Sequence, residues 1–260
     1  MSDPVEAFRR ERRAAIEGYR SDPRLSARAR GWVEETMARR YVYNFDWLGR
    51  PIIQYPADIV ALQEVVWATR PDVIVETGIA HGGSLALSAG TLALLDLADA
   101  AAAGESLDPA RPRRKVIGVD IDIRAHNRAA LDAHALRPFM HLVEGHSIAP
   151  ETVAEVRATV GDAARVMVCL DSSHTHDHVL AELTAYAPLV TAGCYCVVLD
   201  TFLEDMPAGF IPDRPWDRGN SPRTALQAWL ATDPGFEIDR EIGDKLLLSA
   251  APDGFLRRIR

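Results

Sequence analysis

Residues Val73-Ile-Val-Glu-Thr-Gly-Ile-Ala-His-Gly-Gly-Ser84 constrain this chain more than any other stretch. A short apolar run ends in an acid, small residues follow, and an amphipathic pattern opens at Ser84. That order predicts a β-strand, a tight loop and a helix N-terminus, the opening of a nucleotide-type site in an α/β fold. Glycines let the backbone approach a ligand closely. The loop departs from two common versions. A dinucleotide loop, G-x-G-x-x-G, needs glycine where Ala80 stands, and a phosphate loop ends in G-K-[ST], whereas Gly83 is followed directly by Ser84. A plain strand-to-helix turn without a ligand is the third reading.

Glu76 narrows the choice. A carboxylate at the strand tip suits a cationic or hydroxyl-bearing ligand better than a pyrophosphate. The loop therefore points toward S-adenosylmethionine (SAM), whose amino-acid end carries an ammonium. Glu76, Thr77, Gly78, Gly82 and Ser84 are the candidate contacts.

The length of 260 residues suits one large α/β domain. A net charge of −8 argues against a nucleic-acid partner, because phosphates would go unneutralised. Arg9, Arg10, Arg12 and Arg13 are interleaved with acids and read as a solvated helix face. No apolar run is read as long enough to cross a membrane, and the first residues lack the apolar core of a secretion signal, so a cytoplasmic location is expected. Cys169, Cys194 and Cys196 fall in expected strands and read as reduced core residues.

Residues 4–40 read as charged helix, broken near Asp22-Pro23. Residues 41–56 are aromatic and punctuated by Gly49, Pro51 and Pro56, a loop or short-strand segment that packs on a core or a partner subunit. A helix follows over 58–69. Strands are expected at 73–76, 116–120, 140–144, 166–170 and 194–199, separated by helices at 84–102, 125–134, 150–160 and 177–186. This alternation predicts an α/β fold, a mostly parallel sheet with helices on both faces. An irregular stretch, 205–222, precedes a helix at 223–231. Strands near 236–242 and 245–250 would form a terminal antiparallel hairpin around Gly243-Asp244. The division is an N-terminal extension, 1–57, for substrate or subunit contacts, and a catalytic core, 58–260, carrying a lid at 205–222.

Nearly every expected strand ends in an acid: Glu76, Asp120, Glu144, Asp171 and Asp200. Acids at one rim must be solvated, paired or coordinating. Asp120 stands where a ribose diol would be held, or it caps a helix. Asp122 offers a second acid, and His146 and Ser147 would line the adenine side. Asp171-Ser-Ser-His-Thr-His-Asp-His178 is the richest segment chemically. Its three histidines could form a metal site of the non-haem iron type, but rings spaced at i, i+2 and i+4 would not converge. Asp171 and Asp200, on adjacent strand ends, could instead share a hard cation such as Mg²⁺. His174 could reach the same pocket as a general base, or be a capping or core histidine.

With these motifs the chain resembles the family of cephalosporin hydroxylase or methoxylation-type enzymes and rhamnosyl (sugar) O-methyltransferases. The resemblance runs from about Tyr41 to Leu248. It is carried by residues 43–56, Glu76-Thr-Gly78 with Gly82-Gly-Ser84, Gly118-Val-Asp-Ile-Asp122, Asp171-Ser-Ser-His174, Asp200-Thr201, and Pro215-Trp216 with Gly219-Asn-Ser-Pro222. It implies a Rossmann-like class I methyltransferase fold and dependence on SAM and Mg²⁺. Asp171 and Asp200 would hold the metal, and His174 would be the base that activates a sugar hydroxyl. Tyr43, Tyr55 and Asn220 are candidate substrate contacts, the substrate is a small sugar-containing molecule, and a homo-oligomer is expected. Some relatives carry Glu-Asp where this chain has Leu199-Asp200, which leaves a metal one protein ligand short. Three alternatives stay open: an N-methyltransferase, an iron-dependent hydroxylase, and a SAM-binding protein without catalysis.

Overall fold

The computed structural model describes residues 3–260. Two capped helices open the chain. Asp3 accepts from the Val5 amide at the start of α1 (Pro4–Arg20), and Asp22 from the Arg24 and Leu25 amides at the start of α2 (Pro23–Ala38). Proline at the first helical position reinforces both starts, because its missing N–H would have no partner there. A small hairpin, β1 (Phe45–Trp47) and β2 (Arg50–Ile52), leads to α3 (Pro56–Thr69).

The sheet then builds by alternation. Its elements are β3 (Val73–Thr77), α4 (Gly83–Ala103), β4 (Lys115–Asp120), α5 (Ala125–Asp132), β5 (Met140–Glu144), α6 (Pro150–Val160), β6 (Val166–Leu170), α7 (His176–Tyr186) and β7 (Tyr195–Val198). Every residue of β3 and β6 is buried, as expected of parallel strands covered on both faces. Ile74, Leu85, Leu92 and Met167 fill the core on one face, and Val75, Val168, Leu183 and Leu226 that on the other.

After β7 come a 3₁₀ turn (Thr201–Asp205), an irregular stretch, α8 (Pro222–Leu230), β8 (Phe236–Ile238), α9 (Arg240–Leu246) and β9 (Phe255–Arg258). The strand order is β5-β4-β3-β6-β7-β9-β8, with β3 to β7 parallel and the last two pairings antiparallel. The chain winds outward from β3 through β4 and β5, then returns to the other side of β3 with β6. Ligands in such sheets bind at the carboxyl ends of the strands where the order reverses. Here that point lies between β3 and β6, which places Thr77 and Asp171 side by side.

Two expectations are corrected. The antiparallel edge exists, but the partner of β8 is β9, and residues around Gly243-Asp244 are helical. Asp239 caps that helix by accepting from the Ile242 amide. Lys245 and Leu246 close that helix, and Ala250 is paired elsewhere. The Ala250 amide donates to Asp58, and its carbonyl accepts from the Phe202 amide. The second correction concerns α4, whose 21 residues are long and apolar enough to cross a membrane. In this fold it is a core helix, with Leu85, Ala86, Ala89, Leu92 and Leu95 fully buried.

Candidate functional site

The loop after β3 is shaped by backbone requirements. Gly78 has φ +87°, and a Cβ there would lie 2.1 Å from the Asp171 carbonyl oxygen, so only glycine lets the two strand ends close up. The Asp171 amide donates to the Thr77 carbonyl, which completes the junction. Gly82 takes φ +84° as the residue preceding α4. The β1–β2 hairpin clamps this loop from outside. Arg50 donates through Nε and Nη2 to the His81 carbonyl at 2.8 and 2.6 Å, and through Nη2 to Asn127 Oδ1 at 2.9 Å. Asn127 in turn donates to the Ala80 carbonyl.

Acids converge around this junction. Glu76 is 3% exposed and accepts the Ser84 and Ser88 hydroxyls. Burial pushes its carboxyl up to about 7, with the two hydroxyls opposing. Asp58, on α3, is 1% exposed and accepts from Ser249 Oγ at 2.6 Å and the Ala250 amide at 2.7 Å. Burial pushes it also to about 7 against those two hydrogen bonds, and Asp200 adds to the rise. Asp171 is half-buried, and its carboxyl is held well above the ordinary carboxylate range. Burial is the largest cause, followed by the charges of Asp200, Glu76, Glu182 and Asp58. Like charges crowded in a poorly solvated space call for a cation.

Asp171, His174 and Asp200 offer ligand atoms that all lie within 4.8 Å of one another. His174 Nε2 is 2.9 Å from Asp200 Oδ2. That contact orients the ring and leaves Nδ1 free to accept a proton when Nε2 carries the hydrogen. Two carboxylates and an imidazole are a donor set that fits a divalent ion. Leu199 is buried in the core and offers no oxygen. The three histidines diverge. His176 Nδ1 contacts Thr224 Oγ1 at 2.8 Å, and His178 Nε2 contacts Ser172 and Ser147 at 2.9 and 3.1 Å.

The irregular segment before α8 meets the trio through Trp216. Trp216 packs edge-on against the His174 ring at 4.6 Å between centroids. Glu204 holds the segment by accepting from the Gly219 amide and Ser221 Oγ, and Arg223 clasps Asp205 through two 2.8 Å hydrogen bonds.

The remaining expected contacts divide. Asp120 lies at the rim, but one oxygen already accepts from the Ile79 and Ala80 amides and the other from the Asp122 amide. It therefore shapes the glycine loop from below. His146 is exposed and lies against the His178 ring, and Ser147 is buried on His178. Thr77 is fully buried with its hydroxyl turned to the Asp171 amide, so it fixes the rim and does not present a side chain to a ligand. Tyr55 is corrected from a substrate contact to a scaffold residue. It is 2% exposed, and its hydroxyl shares a hydrogen with Thr36 on α2 at 2.5 Å. Asn220 is half-buried, and its amide accepts from the His176 backbone and donates to the Pro215 carbonyl, which pins the segment that carries Trp216. Tyr43 is exposed, with Arg40 stacked 4.4 Å from its ring centre.

Sequence reading missed Asp58, Gln54 and Trp216. Asp58 read as an ordinary acid in the first turn of a helix. Gln54 and Trp216 sit in stretches that marked the family resemblance but had no assigned chemistry.

The family described as Rhamnosyl O-methyltransferase/CmcI matches residues 39–259. A rhamnosyl O-methyltransferase of Mycobacterium leprae (strain TN) is 28% identical over 221 residues, covering 84% of this chain and 85% of that protein. Its namesake from Mycobacterium bovis (strain BCG / Pasteur 1173P2) is 28% identical over 207 residues, 78% and 73% of the two chains. A solved CmcI structure with Mg and SAM superposes with a TM-score of 0.54 at 19% identity, covering 84% of this chain and 78% of that one. The cofactor-bound Rv0187 from MTB superposes at 0.51 and 15% identity, covering 92% of each. These two likenesses show the shared class I methyltransferase fold. The chain belongs to the rhamnosyl O-methyltransferase/CmcI family.

Proposed function

We propose that this chain is a SAM- and Mg²⁺-dependent O-methyltransferase acting on a hydroxyl of a sugar, in a sugar nucleotide or a glycosylated natural product. The observation that carries the proposal is the Asp171, His174 and Asp200 trio beside the glycine loop, with its ligand atoms within 4.8 Å of one another. The relatives' rhamnosyl O-methyltransferase name supports the reaction class and a sugar acceptor.

SAM, when bound, supplies an electrophilic methyl group, and Mg²⁺ on Asp171 and Asp200 supplies positive charge for a developing oxyanion. The protein's own contribution is positioning and proton handling. Nδ1 of His174 receives the proton of the acceptor hydroxyl, while Asp200 keeps the ring in place through Nε2. Residues 205–222 act as a lid that excludes water, with Trp216 closing over the base. The Leu199 side chain brings no metal ligand, so water or another residue would have to complete the set around a bound ion. Phe8 and Trp32, exposed on the N-terminal helices, give a homo-oligomer apolar surface to use.

The test is calorimetric binding of SAM and of S-adenosylhomocysteine, each in Mg²⁺ and in chelator. Micromolar binding of both supports the reading. Failure of both to bind defeats it, and tight iron binding with oxygen consumption would favour the hydroxylase instead.

A further inference from the structure

Gln54 lies between β2 and α3 and is used by nothing described above. Its side chain is 4% exposed, and Oε1 is buried without a hydrogen-bond partner. A buried carbonyl left unpaired is costly, so an orphan of this kind asks for a missing donor. Gln54 lines a small cavity of about 10 Å³ together with Glu76, Ser84, Ser88, Asp171 and Leu199. That is room for the centre of one water-sized group.

The cavity is one-sided chemically. Both serine hydroxyls already donate to Glu76, so they bring no free hydrogen. The other polar residues on its wall are Glu76, Asp171 and Gln54, the rest of the wall is Leu62, Leu87, Cys169 and Leu199, and no lysine or arginine lines the space. Its occupant must be a donor, and a small cation fits best. The cavity adjoins the metal trio through Asp171, but neither His174 nor Asp200 borders it. A primary ammonium has the right size, charge and three hydrogens to give.

We propose that Gln54 is a cofactor-positioning residue, and that its Oε1, with Glu76, receives the α-ammonium of the amino-acid end of SAM. This rests on the SAM reading above and adds a residue that sets which end of the cofactor enters. The hydrogen bond reaches across from the β2–α3 connection. It thereby couples cofactor binding to the same outer segment that clamps the glycine loop through Arg50.

The test is calorimetry on the wild type, Gln54→Leu and Gln54→Glu, with S-adenosylhomocysteine and with methylthioadenosine, which lacks the amino-acid end. The expected result is a roughly 10- to 100-fold loss of S-adenosylhomocysteine affinity in Gln54→Leu. Gln54→Glu keeps or tightens binding, because it presents a charge to the ammonium. Methylthioadenosine binds all three proteins alike. Ligand-free Gln54→Leu melts no lower than the wild type, since an apolar side chain removes the unpaired oxygen. Unchanged S-adenosylhomocysteine affinity in Gln54→Leu would overturn the proposal. So would a loss in Gln54→Glu exceeding that in Gln54→Leu, which would mean the amide faces the cofactor's carboxylate. A wild type that binds no S-adenosylhomocysteine overturns the SAM reading itself, a result visible before any variant is made.

Discussion

Replacing Glu76 with glutamine separates what this buried acid does for a ligand from what it does to the fold. The free side chain titrates near 4.5, and burial moves the folded value to about 7. A carboxyl whose folded pKa is the higher one binds its proton more tightly in the folded state. It favours folding fully below the unfolded value, and that advantage is lost as pH rises through about 7. The displacement amounts to about 3 kcal/mol against folding near pH 8 and about 1 kcal/mol near pH 5. Glutamine has nearly the same volume, retains an oxygen for one serine and does not titrate. Relative to the wild type, the ligand-free variant should therefore gain about 2 kcal/mol between about pH 5 and pH 8. For a chain of this size that is a Tm difference growing by about 4–8 °C. The assay is thermal unfolding by circular dichroism, in chelator, at several pH values for both proteins. A Tm difference that stays constant over this range would refute the assignment of a strained buried carboxyl. The same variant should bind SAM more weakly where the wild-type carboxyl is ionised, so stability and affinity move in opposite directions.

Other substitutions read other parts of the site. His174→Ala and Asp171→Asn should each lower turnover by at least about 100-fold, with SAM binding better preserved in His174→Ala, as followed by kinetics and calorimetry. Full activity in either would remove that residue from the proposed chemistry. Arg50→Ala frees the carbonyls of the glycine loop and should cost about 2 kcal/mol of stability, together with a loss of SAM affinity measured by calorimetry. Gly78→Ala forces a Cβ to within 2.1 Å of the Asp171 carbonyl and should destabilise the fold by about 3 kcal/mol, read by denaturant unfolding. Breaking the Asp205–Arg223 clasp with Arg223→Ala should loosen the lid, raising KM for the acceptor while leaving SAM affinity unchanged.

The parts of this fold readable from sequence are those with a local cause. β6 and most of β3 are apolar runs because both faces are covered, and the helices that precede them, α6 and α3, begin at Pro150 and Pro56. Asp171, His174 and Asp200 stand at strand ends, where a short motif suffices to place them at one rim. The C-terminal edge was not readable, because the segment's end is held by Asp58 on α3, which takes the Ala250 amide. Nothing near residue 250 announces that partner. The same holds for Tyr55, whose aromatic ring suggested a ligand contact but whose hydroxyl is matched to Thr36 on a distant helix. Gln54 became visible only when folding brought it against Glu76 and Asp171 with its oxygen unpaired.

The central claim is methyl transfer from SAM to a sugar hydroxyl at the Asp171–His174–Asp200 centre. Its most direct test is incubation of the purified chain with methyl-labelled SAM and a panel of rhamnosyl and related deoxysugar acceptors, in Mg²⁺ and in EDTA. A labelled sugar methyl ether, formed in Mg²⁺ and absent in EDTA and in His174→Ala, is the predicted result. Transfer that persists undiminished in EDTA and in His174→Ala would contradict the account.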